Sequence, residues 1–293
     1  MPYYVEPLFR PPSEARSLIF QITIGCSQNN CSFCGMYKGK RFRLKPVAEV
    51  LAEIADIPAR YRDHVDRVFL ADGDAVVYPF EGLVAILDAL AGTFPGLTRV
   101  GAYASPNSLI TKSVKELEIL REKRLRILYF GLESGDDETL RTVNKGYGSD
   151  EMADLALKAR TAGMKLSVTA ILGAAGRGRS LEHARATAEW VNRVNPEYFS
   201  LLTLFHRHND AFVQNLDQCT RRELMHEARE IVAHLNPART ILRSNHVSNF
   251  LNLAGSYPKD RERLIADVAA ALVRAERIPG FLDEIPSYGE EHY

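Results

Sequence analysis

The sequence predicts an α/β protein: a partial (β/α)6 barrel of TIM type with parallel strands, followed by a mainly helical C-terminal extension. Three observations carry that expectation. Between residues 18 and 205, short apolar runs of strand length alternate with amphipathic stretches of helical period. Each run ends in a polar or glycine-containing segment, as in parallel sheets whose strand ends carry the site. Beyond residue 205 the alternation lapses. The expected division is a core over residues 1–205 and an extension over 206–293 that covers the barrel and contributes to a substrate pocket.

The alternating apolar run Leu18–Ile24 opens the series. Pro46–Ile57 reads as a helix, since proline suits a first turn and Val47, Val50, Leu51, Ile54 and Ile57 recur at helical spacing. A strand over Val65–Ala71 follows, then a helix over Phe80–Ala91 with Leu83, Val84, Leu87 and Leu90 on one side. Leu97–Tyr103, Ile127–Leu132, Leu166–Leu172 and Tyr198–Phe205 are the remaining core strands. Helices over Ser113–Lys123, Asp137–Val143, Ser149–Thr161 and Leu181–Val194 separate them. Six strands suit an open barrel and are too few for a closed eight-stranded one. In the extension, helices over Arg221–Leu235 and Arg261–Ile278 flank a strand at Thr240–Arg243 and a polar loop to Asn252. The acidic, proline-containing stretch Pro279–Tyr293 reads as a loosely packed end.

Of the 293 residues, 46% are hydrophobic and 25% charged, which describes a globular chain with a sizeable core. Lys and Arg number 37, as do Asp and Glu, so the charge balance gives no support to a large nucleic-acid surface. A local basic stretch (Lys38, Lys40, Arg41, Arg43 and Lys45) is a solvated connector, an anion-binding rim, or a docking surface for an acidic electron donor. No apolar run reaches the length of a membrane span. Residues 1–17 are polar and proline-rich where a secretory leader would be apolar, and the cysteines lack a disulfide-like framework. Together these features give the expectation of a cytoplasmic protein.

Three of the four cysteines, Cys26, Cys31 and Cys34, lie within GCSQNNCSFCGMY, directly after the first strand. Spacings of four and then two residues bring three soft thiolates onto one loop, which suits an iron–sulfur cluster or a thiophilic metal with one position left for another ligand. One alternative is a zinc-stabilised structural or nucleic-acid-binding protein, with Cys219 or a histidine as fourth ligand. Another is an iron–sulfur electron-transfer protein.

With Phe33 between its second and third cysteines, this loop resembles the cluster loop of radical S-adenosylmethionine (SAM) enzymes, and the C-terminal part resembles uncharacterised iron–sulfur oxidoreductase-like members. The common spacing in that superfamily is three and then two, so the first arc here is one residue longer. The resemblance implies a 4Fe–4S cluster held by Cys26, Cys31 and Cys34, with SAM on the open iron. It implies reductive cleavage of SAM by one electron, from reduced flavodoxin or ferredoxin. The resulting 5'-deoxyadenosyl radical then takes a hydrogen atom from a small-molecule or peptide-sized substrate.

The strand ends extend the likeness. Asp72-Gly73-Asp74 stands where the superfamily holds the SAM ammonium, and Gly73 keeps the close backbone approach. Asn107, after the third strand, is within reach of the ligand or forms an Asx turn. Gly131-Leu132-Glu133-Ser134-Gly135 resembles the fourth-strand motif, with Glu133 first and Ser134 second as SAM contacts. Arg141 and Lys145 are candidates for neutralising the SAM carboxylate, or solvated helix charges. Leu172, opening LGAAG, stands beside the adenine in the same comparison. For substrate chemistry the candidates are His206 and His208 after the sixth strand, Asn245 and His246 in the later polar loop, and Cys219. These residues serve equally to fix the extension.

Overall fold

A computed structural model describes residues 3–205, 208–246 and 248–286. Eight strands form one mostly parallel sheet that is not closed into a barrel, and helices alternate with them, as the sequence leads one to expect. The chain divides into two compact units: one runs up to Asn29 and takes in Met36–Phe130 and Asp154–Leu166, the other takes in Asn30–Gly35, Gly131–Ala153 and Ser167 onward.

The first unit is built on β1 (Leu18–Gln21), two short strands β2 (Thr23–Ile24) and β3 (Arg43–Leu44), then β4 (Arg67–Ala71), β5 (Arg99–Ala104) and the body of β6 (Leu125–Glu133). β1 pairs in parallel with β4, β4 with β5 and β5 with β6. The helices α1 (Val47–Ala55), α2 (Ala59–Arg62), α3 (Phe80–Thr93), α4 (Pro106–Ile110) and α5 (Val114–Glu122) connect them. α1 stops short of the predicted Ile57, and Pro58 caps the separate turn α2 because its ring cannot continue a helix. α3 buries Leu83, Ile86, Leu87 and Leu90, the stripe expected from its period. α5 begins in a capping box, Ser113 with Glu116. The β2–β3 ladder is absent from the sequence reading. It joins the chain on either side of residues 25–42, so the cysteine segment leaves from a closed base.

Near the beginnings of these strands the chain buries a carboxylate. Glu14, on a short turn before β1, is fully buried and accepts from Arg99 Nη2 at 2.7 Å, from Tyr129 Oη and from Ser17 Oγ. A charge without such partners would be costly there. Glu14 thereby ties the N-terminal segment to β5 and β6, away from the strand ends that carry the candidate site.

In the second unit, α6 (Asp137–Thr142) and α7 (Ser149–Thr161) follow β6. Next come β7 (Lys165–Leu172), α8 (Ser180–Val194), β8 (Tyr198–Thr203), α9 (Asp210–Gln214) and α10 (Arg221–His234). β9 (Thr240–Arg243), β10 (Ala254–Tyr257) and α11 (Arg261–Ala275) complete it. β7 pairs in parallel with β8 and β8 with β9, while β10 runs antiparallel to β9. The sequence reading lacks β10, because Ala254-Gly255-Ser256-Tyr257 has neither the branched residues nor the alternation that mark a strand. α10 packs between α8 and α11. Among the described residues no helix is long and apolar enough to cross a membrane.

Candidate functional site

In the first unit the site is assembled around two buried carboxylates. Gly25 has φ +78°, in the left-handed region, and its N–H donates to Asp72 Oδ2 at 2.9 Å. The same oxygen accepts from Gln21 Nε2 at 2.9 Å and Lys40 Nζ at 3.0 Å. Lys40 also donates to the carbonyls of Val5 and Pro7, each at 2.6 Å. Burial raises the Asp72 pKa, against the pull of the Gly25 N–H, Lys40 and Gln21. The other oxygen, Oδ1, is buried without a hydrogen-bond partner among the described residues.

Next to it, Gly73 sits so close to the cysteine segment that a Cβ there would lie 2.7 Å from Tyr37 Cε2 and 2.8 Å from Cys26 Cβ. Asp74 is also fully buried; it accepts from Ser105 N at 3.1 Å, Ser105 Oγ at 2.6 Å and Ser27 Oγ. Asn107 Nδ2 donates to Ser27 Oγ at 3.1 Å. The carboxylate of Asp74 is thus occupied in tying the segment after Cys26 to the end of β5. The basic stretch of the sequence reading dissolves here: Lys40 is buried on Asp72, and Lys45 is buried on Glu53, 2.5 Å away. Buried cations need partners, and these two find theirs in the core, so the five residues do not form one exposed patch.

The second unit holds Cys31, Phe33 and Cys34. Ser32 N donates to the Val143 carbonyl at 2.9 Å, and Asn209 Nδ2 to the Phe33 carbonyl at 2.7 Å. The Phe33 ring packs against Val143, Ile171, Ala174 and Leu204. At the end of β6, Glu133 adopts φ +65°, strained for a residue with a Cβ, and its Oε1 lies 3.0 Å from Lys145 Nζ. Gly131 makes room for this pair: a Cβ there would fall 2.2 Å from Glu133 Oε1. Arg141 lies on the surface beside Glu138, so of the two candidate cations only Lys145 is buried. Ser134 is fully buried; its Oγ accepts from Asp136 N at 2.9 Å and lies 2.7 Å from His183 Nδ1. Leu172 ends β7 and Gly173 follows with φ +82°.

The substrate candidates are spread more widely. His208 is exposed with φ +52°. Asn245 is exposed, whereas His246 is half-buried, and burial lowers its pKa. The His246 ring stacks on Phe205, and its Nδ1 lies 2.8 Å from Ser248 Oγ. Ser248 Oγ accepts from Thr203 N at 3.1 Å, which fixes this loop to the end of β8. Cys219 is buried and lines a small, partly open recess with Leu172, Gly173, Thr203 and Leu224; burial and the charge of Glu227 push its thiol up to about 12. His206 lies outside the described residues.

Among the described residues no group of three or more His, Cys, Asp or Glu side chains is gathered around one ion-sized point. A cubane asks for separate thiolates, one for each iron they hold. Three cysteines on one segment, a glycine pressed against the first of them and a buried carboxylate oxygen without a donor fit a cluster together with a ligand that carries an ammonium group.

His183 and Glu227 are missing from the sequence-derived set, and Lys40 enters it as one of a basic stretch and not as the partner of Asp72. For Glu227 a signal existed: it interrupts the apolar stripe Leu224, Ala228 and Ile231 of α10, where a glutamate needs a buried partner.

Comparison with known proteins agrees with this geometry. The family model of the radical SAM superfamily matches residues 20–191. The tRNA-2-methylthio-N(6)-dimethylallyladenosine synthase of Dehalococcoides mccartyi is 27% identical over 161 residues, 54% of this chain and 37% of that protein. The chain therefore spans well under half the length of this curated relative. Coproporphyrinogen III oxidase from Escherichia coli, a radical SAM enzyme, superposes with TM-score 0.59 at 18% identity over 74% of this chain and 51% of its own. The radical SAM methyltransferase TsrM from Kitasatospora setae, with cobalamin and a 4Fe–4S cluster bound, gives TM-score 0.56 at 17% identity over 87% of this chain and 52% of its own. At such identities the structural likeness speaks for the fold alone.

Proposed function

The chain belongs to the radical SAM superfamily, and from that membership we propose that it cleaves SAM reductively at a 4Fe–4S cluster and abstracts a hydrogen atom from a small or medium-sized substrate. The observation that carries this reading is the contact of Gly73 with Cys26 beside the buried carboxylate of Asp72, which joins a strand end to the start of the cysteine segment. When bound, the cluster and SAM supply the one-electron cleavage and the hydrogen abstraction.

In this reading Cys26, Cys31 and Cys34 hold the irons and leave one to SAM. The backbone of Asp72–Asp74 approaches the ligand at Gly73, and Asp72 Oδ1 accepts from its ammonium group. Glu133 is held by Lys145 and contacts the ribose or methionyl part. Lys145, buried beside Glu133, serves the SAM carboxylate, while Arg141 lies out in solvent beside Glu138. Leu172 and the backbone of Gly173 flank the adenine, and Asn107 supports Ser27 instead of touching SAM.

His246, whose pKa burial lowers, is suited to proton transfer on the substrate side, with Asn245 beside it in the sequence, His208 beyond the end of β8 and Cys219 as a protonated thiol. The electron comes from reduced flavodoxin or ferredoxin. The methylthiolation of tRNA named for the relative is not carried over, since the chain spans 37% of that protein and has no net charge.

Anaerobically reconstituted protein is expected to be brown and to hold about four irons per chain. Changing Cys26, Cys31 or Cys34 singly to alanine should remove the colour and most of the iron while the far-ultraviolet circular dichroism stays unchanged. Full iron content in all three variants would overturn the assignment.

A further inference from the structure

Behind the ends of β6 and β7 lies a buried network that the proposed chemistry leaves unused. Glu227, fully buried on α10, accepts from Gly173 N at 2.8 Å through Oε1 and from Ser180 Oγ through Oε2. His183 Nε2, on α8, is buried without a hydrogen-bond partner among the described residues and stands 3.4 Å from Glu227 Oε1. Its other nitrogen reaches Ser134 Oγ at 2.7 Å, and Ser134 is the neighbour of Glu133. One carboxyl therefore reaches two strand ends in the left-handed region, Glu133 at φ +65° with Ser134 behind it, and Gly173 at φ +82°. A strained conformation at Glu133 persists only where its surroundings over-determine it. Ser134, Asp136 N and His183 do so here.

Resting on the proposed function, which places SAM at these two strand ends, we infer that Glu227 and His183 are positioning residues that set the affinity for SAM from the C-terminal segment. An ionised Glu227 takes two donors, the Gly173 N–H and the Ser180 hydroxyl, and its charge faces the His183 Nε2–H from 3.4 Å. That choice of tautomer leaves Nδ1 as an acceptor, so the Ser134 hydroxyl donates to it while accepting from Asp136 N. Protonating Glu227 removes the demand on Nε2–H, and the hold on Ser134 loosens.

Burial raises Glu227 from 4.5 to about 7 and lowers His183 from 6.5 to about 4. The charged and titratable groups facing the pair are Asp136, held by Arg179, on the His183 side and Cys219, with its thiol protonated, on the Glu227 side.

The linkage signs oppose each other. A folded pKa raised at Glu227 makes its contribution to stability fall as pH rises from 4.5 to about 7. A folded pKa lowered at His183 makes its contribution grow as pH rises from about 4 to 6.5. In the wild-type protein the two slopes largely cancel.

The test combines SAM binding to reconstituted protein, by equilibrium dialysis at pH 6 and pH 8, with thermal unfolding across the same range. Glu227→Gln mimics the protonated carboxyl, so it should match wild type at pH 6 and bind SAM about tenfold more weakly at pH 8, with iron content unchanged. His183→Asn should weaken SAM binding as well. Between pH 5 and 6.5 the midpoint of His183→Asn should fall with rising pH, and that of Glu227→Gln should rise. SAM affinity in Glu227→Gln equal to wild type at both pH values, or reduced equally at both, would overturn the inference. So would unfolding slopes of the same sign in the two variants. Wild-type protein that binds no SAM at either pH would overturn the proposed function, and the inference with it.

Discussion

An Asp72→Ala protein is expected to lose about 3–5 kcal/mol of stability and most of its capacity to retain iron. The ion pair with Lys40 is not itself the source of that figure, since burial raises the Asp72 pKa in spite of the lysine. The cost comes from what alanine leaves behind. Lys40 Nζ, with 5% of its side chain exposed, keeps the Val5 and Pro7 carbonyls but loses its counter-charge, the Gly25 N–H loses its acceptor, and the Gln21 amide keeps the Val5 carbonyl but loses the carboxylate. Asp72→Asn retains an oxygen for Gly25 and should lose less than half as much. A double change, Asp72→Leu with Lys40→Met, removes both charges and should recover much of the stability. It should not recover the iron, because the tether from strand end to cysteine segment is still missing. Urea unfolding and iron analysis read the two effects separately; iron retained in the double variant would show that the tether does not shape the cysteine segment.

The second large effect is expected from a single methyl group. In Gly73→Ala the new Cβ would meet Cys26 Cβ at 2.8 Å and Tyr37 Cε2 at 2.7 Å, well inside the separation of about 3.5–4.0 Å at which carbon atoms rest. Cys26 has to move by close to an ångström. The cost of overpacking is about 1–3 kcal/mol, but the change in iron retention should be out of proportion to it, since a thiolate cannot follow its iron through such a shift. Gly92→Ala is the control. It lies in α3 with nothing within 4 Å of its would-be Cβ, and should gain about 0.5–1 kcal/mol with iron unaffected. Iron retention in Gly73→Ala equal to that of the control would break the link between the β4 end and the cysteine segment.

The parts of this site that the sequence discloses are those in which chemistry and periodicity coincide. Asp72, Glu133 and Leu172 lie at or just beyond the ends of β4, β6 and β7, as the alternating pattern places them, and the cysteine spacing announces itself. Hidden from the sequence are the long-range partners. Lys40 stands among exposed-looking cations yet ends buried on a carboxylate 32 residues away. Glu227 reaches Gly173 across 54 residues, and His183 reaches Ser134 across 49. Nothing local distinguishes those side chains beyond a polar residue on an apolar helix face. β10 and the β2–β3 ladder escape for a different reason: at two to four residues they are too short for a periodic signal, and only their pairing makes them strands.

Reductive cleavage of SAM is the claim on which the site assignments converge, and it is read directly by quantifying 5'-deoxyadenosine and methionine. Oxygen-protected, reconstituted protein is incubated with dithionite and SAM, beside a Cys26, Cys31 and Cys34 triple alanine variant. Equal amounts of both products from the wild-type protein, and neither from the variant, are expected. SAM left intact after full reduction, or purified protein that carries zinc in place of iron, would contradict it.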